Sequence, residues 1–483
     1  MMQMKCGPLS VEQGKRDMQA LWTLKEIAQA CGARSNADAA VNGISIDTRT
    51  LQPGDLFVAL KDVRDGHAFV ADALAKGAAA ALVSQDVPGV PEAKLVRVSD
   101  TLLGLEQLGR ARRAQAAARI AAVTGSVGKT STKEALRHLL SLQAPTHASA
   151  ASYNNLWGVP LSIARMPVTS QYGIFEIGMN HAGEITPLVA QARPHVAIVT
   201  MVAAVHLEHF DSVAGIADAK GEIFSGLEPD GMAVINADLE WTERLVAHAR
   251  KANPASIVTY GRSASADVRL LDQTLAEDHS EVKADLFGTI VKYRIGAPGD
   301  HWVMNSLGVI SVIAGLGGSA RQAAEDMSTL SALSGRGARE RLKVAGGTFD
   351  LIDESYNANP LSMSTAIATL GRAVPGAGGR RIAVLGDMLE LGPTAPELHA
   401  GIGVAIREHG ADLVFASGPM MRHLWENVAE SRRGGYADSS SEIAEQVARA
   451  VRPGDIIMIK GSYGSRMRVV VDALRALSAS SRS

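Results

Sequence analysis

An α/β chain of three domains is what this sequence predicts. A small α/β domain comes first, then a central mostly parallel sheet of the phosphate-loop type with helices on both faces, then a C-terminal Rossmann-like domain. Three observations lead there. Short apolar runs alternate with helical segments through most of the chain, the pattern of parallel strands covered on both faces. One of these runs, Ile120 to Val123, passes through Gly125-Ser126-Val127-Gly128-Lys129-Thr130 into a helical stretch from Thr130 to Leu140. Such a strand–turn–helix presents backbone N–H groups and the positive helix end to a polyphosphate. Finally, an Ala-rich helix near Thr101 to Ala118 and the glycine run Ala345-Gly346-Gly347 mark two boundaries. The expected domains are therefore 21–115, 116–344 and 345–483, in keeping with a length of 483 residues.

Composition narrows the class. Hydrophobic residues make up 46% and charged ones 20%, which suits an ordinary globular protein with material for several cores. A formal net charge of −2 supplies no general attraction to nucleic acid or to an acidic membrane. Two cysteines, Cys6 and Cys31, argue against a disulfide framework or a zinc site and fit a reducing cytoplasm. No apolar run is long enough to span a bilayer. Residues 1–20 mix charges with Gly7 and Pro8 and lack a signal-peptide core; they read as a disordered extension or an over-long start.

Taken in order, the first domain opens at Leu21. Thr23 and Glu26 form a capping-box pattern for a helix through Ala28. Strands are expected at Gly43 to Asp47, Leu56 to Ala59 and Ala81 to Ser84, with a helix from Ala68 to Lys76. Polar residues gather where these strands end: Ser45, Asp47, Thr48 and Arg49, then Asp65, Gly66 and His67. Residue chemistry alone leaves them as a sugar-nucleotide site or as an ordinary polar rim. Central strands follow at Ile120 to Val123, Tyr172 to Ile177, Val196 to Met201, Met232 to Asn236 and Ser256 to Tyr260. Antiparallel strands between Asp267 and Gly296 and a helix from Trp302 to Leu316 close that domain. The last domain restarts the alternation with strands at Phe349 to Asp353, Ile382 to Asp387, Leu413 to Ser417 and Asp455 to Lys460.

Lys129 can reach β- and γ-phosphates and the Thr130 hydroxyl can ligate Mg²⁺. The full phosphate-loop pattern wants glycine where this chain has Val123. Glu176 ends an apolar strand, where a carboxylate needs a cation or an ion-pair partner. His206 follows the next strand and is a metal ligand or a structural histidine. Lys220 lies on a helix, where a solvated lysine is the ordinary case. Asn154-Asn155 and Asp353-Glu354-Ser355-Tyr356-Asn357-Ala358-Asn359-Pro360 are dense in hydrogen-bonding groups, as a site or a turn would be.

Together these segments resemble the Mur ligase family. The resemblance is carried by Thr124 to Thr130, Glu176-Ile177-Gly178-Met179-Asn180-His181, Ala204-Val205-His206-Leu207-Glu208, Ala219-Lys220-Gly221-Glu222-Ile223-Phe224, Asn305, and Tyr356 to Pro360. It runs from about Leu21 to the last helix, and a missing first glycine is normal in that family. It implies an ATP- and Mg²⁺-dependent amide ligase of peptidoglycan precursor synthesis, with UDP-N-acetylmuramoyl-tripeptide and D-alanyl-D-alanine as substrates. By the same resemblance Gly125, Ser126, Gly128, Lys129, Thr130, Ser131, Asn305, Arg336 and Asp353 bind the nucleotide. Thr130, Glu176 and His206 hold metal; Lys129, His206 and Lys220 serve catalysis, Lys220 as a carbamate. Ser45, Asp47, Thr48, Arg49, Asp65, Gly66 and His67 face the uridine nucleotide, with Thr48 in place of a commoner serine. Asn154, Asn155, Tyr356, Asn357 and Asn359 bind substrate. Glu354 stands where many relatives have aspartate, so either Asp353 or Glu354 meets the ribose. A cytoplasmic monomer without nucleic-acid or membrane partners is expected.

Rival readings fit less well. No Asp-Asn-Pro-Arg segment of a diaminopimelate-adding ligase occurs, nor the Asp-Gly-Ala-His-Asn-Pro-like segment of a folylpolyglutamate synthase. Lys129, Thr130, Glu176, His206 and Lys220 all being present argues against a non-catalytic nucleotide-binding module.

Overall fold

The computed structural model describes residues 20–33, 38–205 and 207–480. The expected extension, except Ala20, and His206 lie outside the described residues. The chain divides into two compact units between Ala111 and Arg112.

In the first unit, Thr23 and Glu26 do form the capping box, at the start of helix Leu24–Ala30. Strands Gly43–Ser45, Asp55–Val58, Ala80–Val83 and Leu95–Arg97 lie side by side in chain order, all parallel. The second and third are buried at every residue, as parallel strands covered on both faces must be. The expected helix from Ala68 begins instead as a 3₁₀ turn, Gly66–Phe69, because Asp65 caps it and accepts from the His67 N–H.

The second unit holds two sheets. The larger has nine strands, with Arg119–Thr124 flanked by Tyr172–Glu176 and Val196–Val199, all parallel. Alternate residues of one strand feed opposite cores. Ala121 and Val123 pack with Leu136, Leu139, Leu307 and Ile310, under helices Lys129–Ser141 and Asp300–Gly315. Ile120 and Ala122 pack with Ile163, Leu188, Ile216 and Leu245 on the other face. Three strands, Val268–Leu275, Ser280–Leu286 and Thr289–Ile295, extend the sheet as antiparallel neighbours of one another.

The six-stranded sheet runs Ala338–Val344, Gly347–Glu354, Ile456–Lys460, Arg381–Gly386, Leu413–Ser417, Arg433–Ala437. Its first pair is antiparallel and the rest parallel. Ala345-Gly346 is therefore the turn of a hairpin, whose first strand already belongs to this sheet. That strand escapes the apolar-run criterion because it is a charged edge, alternating exposed and half-buried residues.

Candidate active site

The carboxyl end of strand Arg119–Thr124 opens into a turn that two glycines make possible. Gly125 has φ +152°, and a Cβ there would strike the Thr200 hydroxyl. Gly128, at φ +89°, begins helix Lys129–Ser141 with no side-chain cap, leaving the first-turn N–H groups available to an anion. The neighbouring strand end holds this turn in shape. Thr200 Oγ1 donates to the Val127 carbonyl at 2.6 Å, the Ser126 N–H donates to the Met201 carbonyl at 2.7 Å, and the Ser126 hydroxyl donates to the Ala203 carbonyl at 3.1 Å. Thr200 carried no motif in the sequence; its role follows from the strand order, which the sequence does not display.

Lys129 folds back so that Nζ donates to the Gly125 carbonyl at 2.6 Å. Burial draws its pKa below the ordinary lysine value against the pull of the Glu176 charge, and Arg336 adds to the lowering. Asn305, on helix Asp300–Gly315, reaches the same turn, its Oδ1 3.2 Å from where a Gly128 Cβ would lie. Ser131 sits half-buried in the first turn of the phosphate helix.

Glu176 closes strand Tyr172–Glu176 and is 1% exposed. One oxygen accepts from the Thr130 hydroxyl at 2.8 Å, the other from Asn154 Nδ2 at 2.8 Å. Both partners are neutral, and among the described residues no ion pair meets this carboxylate, an arrangement that suits a cation. A carboxylate and a hydroxyl beside a phosphate-binding turn match the hard oxygen donors that Mg²⁺ takes together with substrate phosphates. Among the described residues no group of three His, Cys, Asp or Glu side chains could hold an ion. Lys220, in the last turn of helix Val213–Gly221, is 2% exposed and has no acceptor among the described residues. Burial, then the charge of Lys129, pushes its pKa well below the usual amine value.

Residues at the head of the smaller sheet reach the loop beside Glu176. Tyr356 donates its hydroxyl to Ser152 Oγ at 2.7 Å, and the Arg336 guanidinium stacks 4.2 Å from the Tyr356 ring centre. Asp353 is 0% exposed, enclosed by Ser355 at 2.6 Å, Ser334 at 3.4 Å, Arg468 at 3.2 Å and Arg475 at 3.5 Å. Glu354, on the other face of the strand, pairs with Lys460 at 3.1 Å and stays partly exposed. Asn357 accepts from the Ala358 N–H through its side chain, and its carbonyl from Lys460. Asn359 caps helix Pro360–Arg372, and Asn155 accepts from the Gly158 N–H at the head of helix Gly158–Ala164; both side chains are engaged in local structure.

In the first unit, the polar residues do gather at strand ends. Ser45 donates to the Asp47 carbonyl, and Asp47 holds the exposed Arg49 guanidinium at 2.6 Å. The Thr48 carbonyl accepts from Lys76 at 3.1 Å. Asp65 accepts the His67 ring at 2.6 Å, and His67 Nε2 accepts from the Ser84 N–H at 2.9 Å. Gly66 lies so close to the backbone of Ala59 and Leu60 that any Cβ would collide with it.

Three family models match the chain: a Mur ligase family catalytic domain over residues 40–113, the Mur ligase middle domain over 123–313, and a Mur ligase glutamate ligase domain over 340–463. The UDP-N-acetylmuramoyl-tripeptide–D-alanyl-D-alanine ligase of Escherichia coli (strain K12) is 35% identical over 450 residues, 92% of this chain and 96% of that one. Its counterpart from Bacillus subtilis (strain 168) is 33% identical, covering 94% and 98%. Among solved structures, MurF from Acinetobacter baumannii superposes with a TM-score of 0.82 at 28% identity, covering 94% of this chain and 99% of that chain. The MurF ligase of Thermotoga maritima in complex with ADP gives 0.75 at 25% identity, covering 91% and 98%.

Proposed function

This chain belongs to the Mur ligase family, and from that premise we propose that it joins D-alanyl-D-alanine to a UDP-N-acetylmuramoyl-tripeptide, using ATP, in peptidoglycan precursor synthesis. The observation that carries this reading is the turn Gly125 to Thr130 bonded to a buried Glu176, in a chain related over nearly its full length to ligases of that name. Transfer of the γ-phosphoryl group to the tripeptide's terminal carboxylate gives an acyl phosphate. Attack by the dipeptide amine, with loss of a proton, forms the amide and releases phosphate.

The protein's task is to bring two anions together and hold them. Lys129 and the first-turn N–H groups of its helix would take the phosphates, with Ser126, Ser131, Asn305 and Arg336 lining the nucleotide. Thr130 and Glu176 would hold Mg²⁺, with His206 a further proposed ligand; bound there, the ion neutralises phosphate charge. Lys220 is proposed to carry a carbamate. Its neutral amine adds to CO₂, an N–C bond forms and one proton leaves, giving a carboxylate on a long stem. The burial of Lys220 supports this, since an ammonium cannot add. Of the two acids at the strand end, Glu354 is the better candidate for the ribose, because Asp353 is enclosed by two arginines. Ser45 to Arg49 and Asp65 to His67 are proposed for the uridine nucleotide, and Asn154, Tyr356 and Asn357 for the peptide ends. The compartment proposed is the cytoplasm; no helix among the described residues is long and apolar enough to cross a membrane.

The test is phosphate release with purified protein, ATP and Mg²⁺. Release is expected only when a UDP-linked muramoyl tripeptide and D-alanyl-D-alanine are both present. Turnover with diaminopimelate and the dipeptide precursor would move the chain to the preceding ligation, and turnover with folate and glutamate would defeat the cell-wall reading.

A further inference from the structure

We propose that Lys133 is a positioning residue for ligation, fixing the loop of residues 149–157 as a strut between Glu176 and Tyr356. Lys133 lies one helical turn beyond Lys129 and Thr130, and its side chain is 0% exposed. An ammonium has three N–H donors, and three acceptors meet it: the carbonyls of Ser149 at 2.8 Å and Ala151 at 2.6 Å, and the Glu134 carboxylate at 2.7 Å. Both carbonyls belong to the loop that joins strand Thr146–Ala148 to helix Gly158–Ala164. Ala151 holds φ +47°, a left-handed conformation that disfavours a residue with a Cβ. Its carbonyl bond to Lys133 helps to hold the chain there.

Two side chains of that same loop reach the proposed site. Asn154 donates to Glu176, and Ser152 accepts from the Tyr356 hydroxyl. The loop thereby joins three separate things: the phosphate helix through Lys133, the proposed metal carboxylate through Asn154, and the smaller sheet through Ser152. A buried ammonium is a poor source of stability, because desolvation offsets its pairing, and methionine would fill a similar volume. What the charge supplies is direction, three bonds that set two carbonyls and hence the residues between and after them. Among the described residues the Lys133 ammonium bonds to none of the proposed nucleotide groups, so its effect is transmitted through Asn154 and Ser152.

The kinetic part of the test rests on the ligase reading, whereas hydrogen exchange does not. In Lys133→Met, amides of residues 149–157 are expected to exchange faster while strand Arg119–Thr124 stays protected. The rate should fall about 10–100-fold, as when support for a metal ligand is lost. The Mg²⁺ concentration for half-maximal rate should rise, and the KM for ATP should move by less than about twofold. Adding Ser152→Ala to Lys133→Met should then cost little more, since residues acting through one loop are not additive. Unchanged loop exchange, or a folded Lys133→Met enzyme with wild-type kcat, overturns the proposal. Should Lys133→Met not fold, Glu134→Gln weakens one of the three bonds at a partly exposed position, and unchanged loop exchange there overturns it equally. A wild-type enzyme that fails to ligate counts against the function, not against the loop.

Discussion

At the scale of the residue, the site is organised by charges held where water cannot balance them. Lys129 rests on the Gly125 carbonyl, a contact that a phosphate oxygen can replace. Lys129→Ala should therefore fold normally yet lose on the order of 3–4 kcal/mol of transition-state stabilisation; near-normal phosphate release from folded mutant would remove Lys129 from the reaction. Lys220 makes a sharper case. If it acts as a carbamate, Lys220→Ala should be nearly inactive and partly rescued by acetate or formate, while Lys220→Arg should be equally inactive and not rescued. Full activity of Lys220→Arg would show that a positive charge is all the position needs. Lys129, Thr130 and Glu176 were legible as a group because a phosphate turn and a carboxylate inside an apolar strand each break a simple rule of burial. Thr200 and Lys133 were not: one is a threonine after a strand, the other a lysine in a helix, and only the packing makes either unusual.

Among the elements, the phosphate turn depends on its neighbour more than on its own residues. The Thr200 hydroxyl occupies the space a Gly125 side chain would need. Gly125→Ala should push Thr200 off the Val127 carbonyl, open the turn and raise the KM for ATP by about tenfold or more, with the melting temperature little changed. An unaltered KM would mean that Thr200 moves without consequence. Most strands and helices were readable from periodicity because the inner strands of both sheets are parallel and covered on both faces, so that those strands are apolar throughout. The exceptions are instructive. Ala338–Val344 is a charged edge, Arg433–Ala437 contains two glycines, and Thr146–Ala148 is three half-buried residues at the sheet margin. Edges need not be apolar, so an apolar-run criterion passes them by.

At the scale of the larger unit, an ion pair ties the two sheets together. Arg339 bridges Asp350 at 2.7 Å, on the smaller sheet, and Glu277 at 2.8 Å, beside the antiparallel extension of the larger one. Burial works against ionisation of Asp350, but Arg341 and Arg339 outweigh it and lower its pKa below the ordinary 3.8. A depressed carboxylate contributes stability that is complete above its unfolded value and is lost as pH falls through the folded one. Urea midpoints measured from pH 6 downward, about the range where carboxylates titrate, should thus show a loss below the ordinary aspartate value that Asp350→Asn lacks. Equal acid sensitivity in both proteins would assign the loss elsewhere. Val123 is wholly buried in the central strand, in register with Ile198 on one side and Glu176 on the other, so a glycine there would leave a hole in the core and loosen the strand that aims Glu176. The phosphate turn begins two residues later, at Gly125, and what precedes it answers to the sheet.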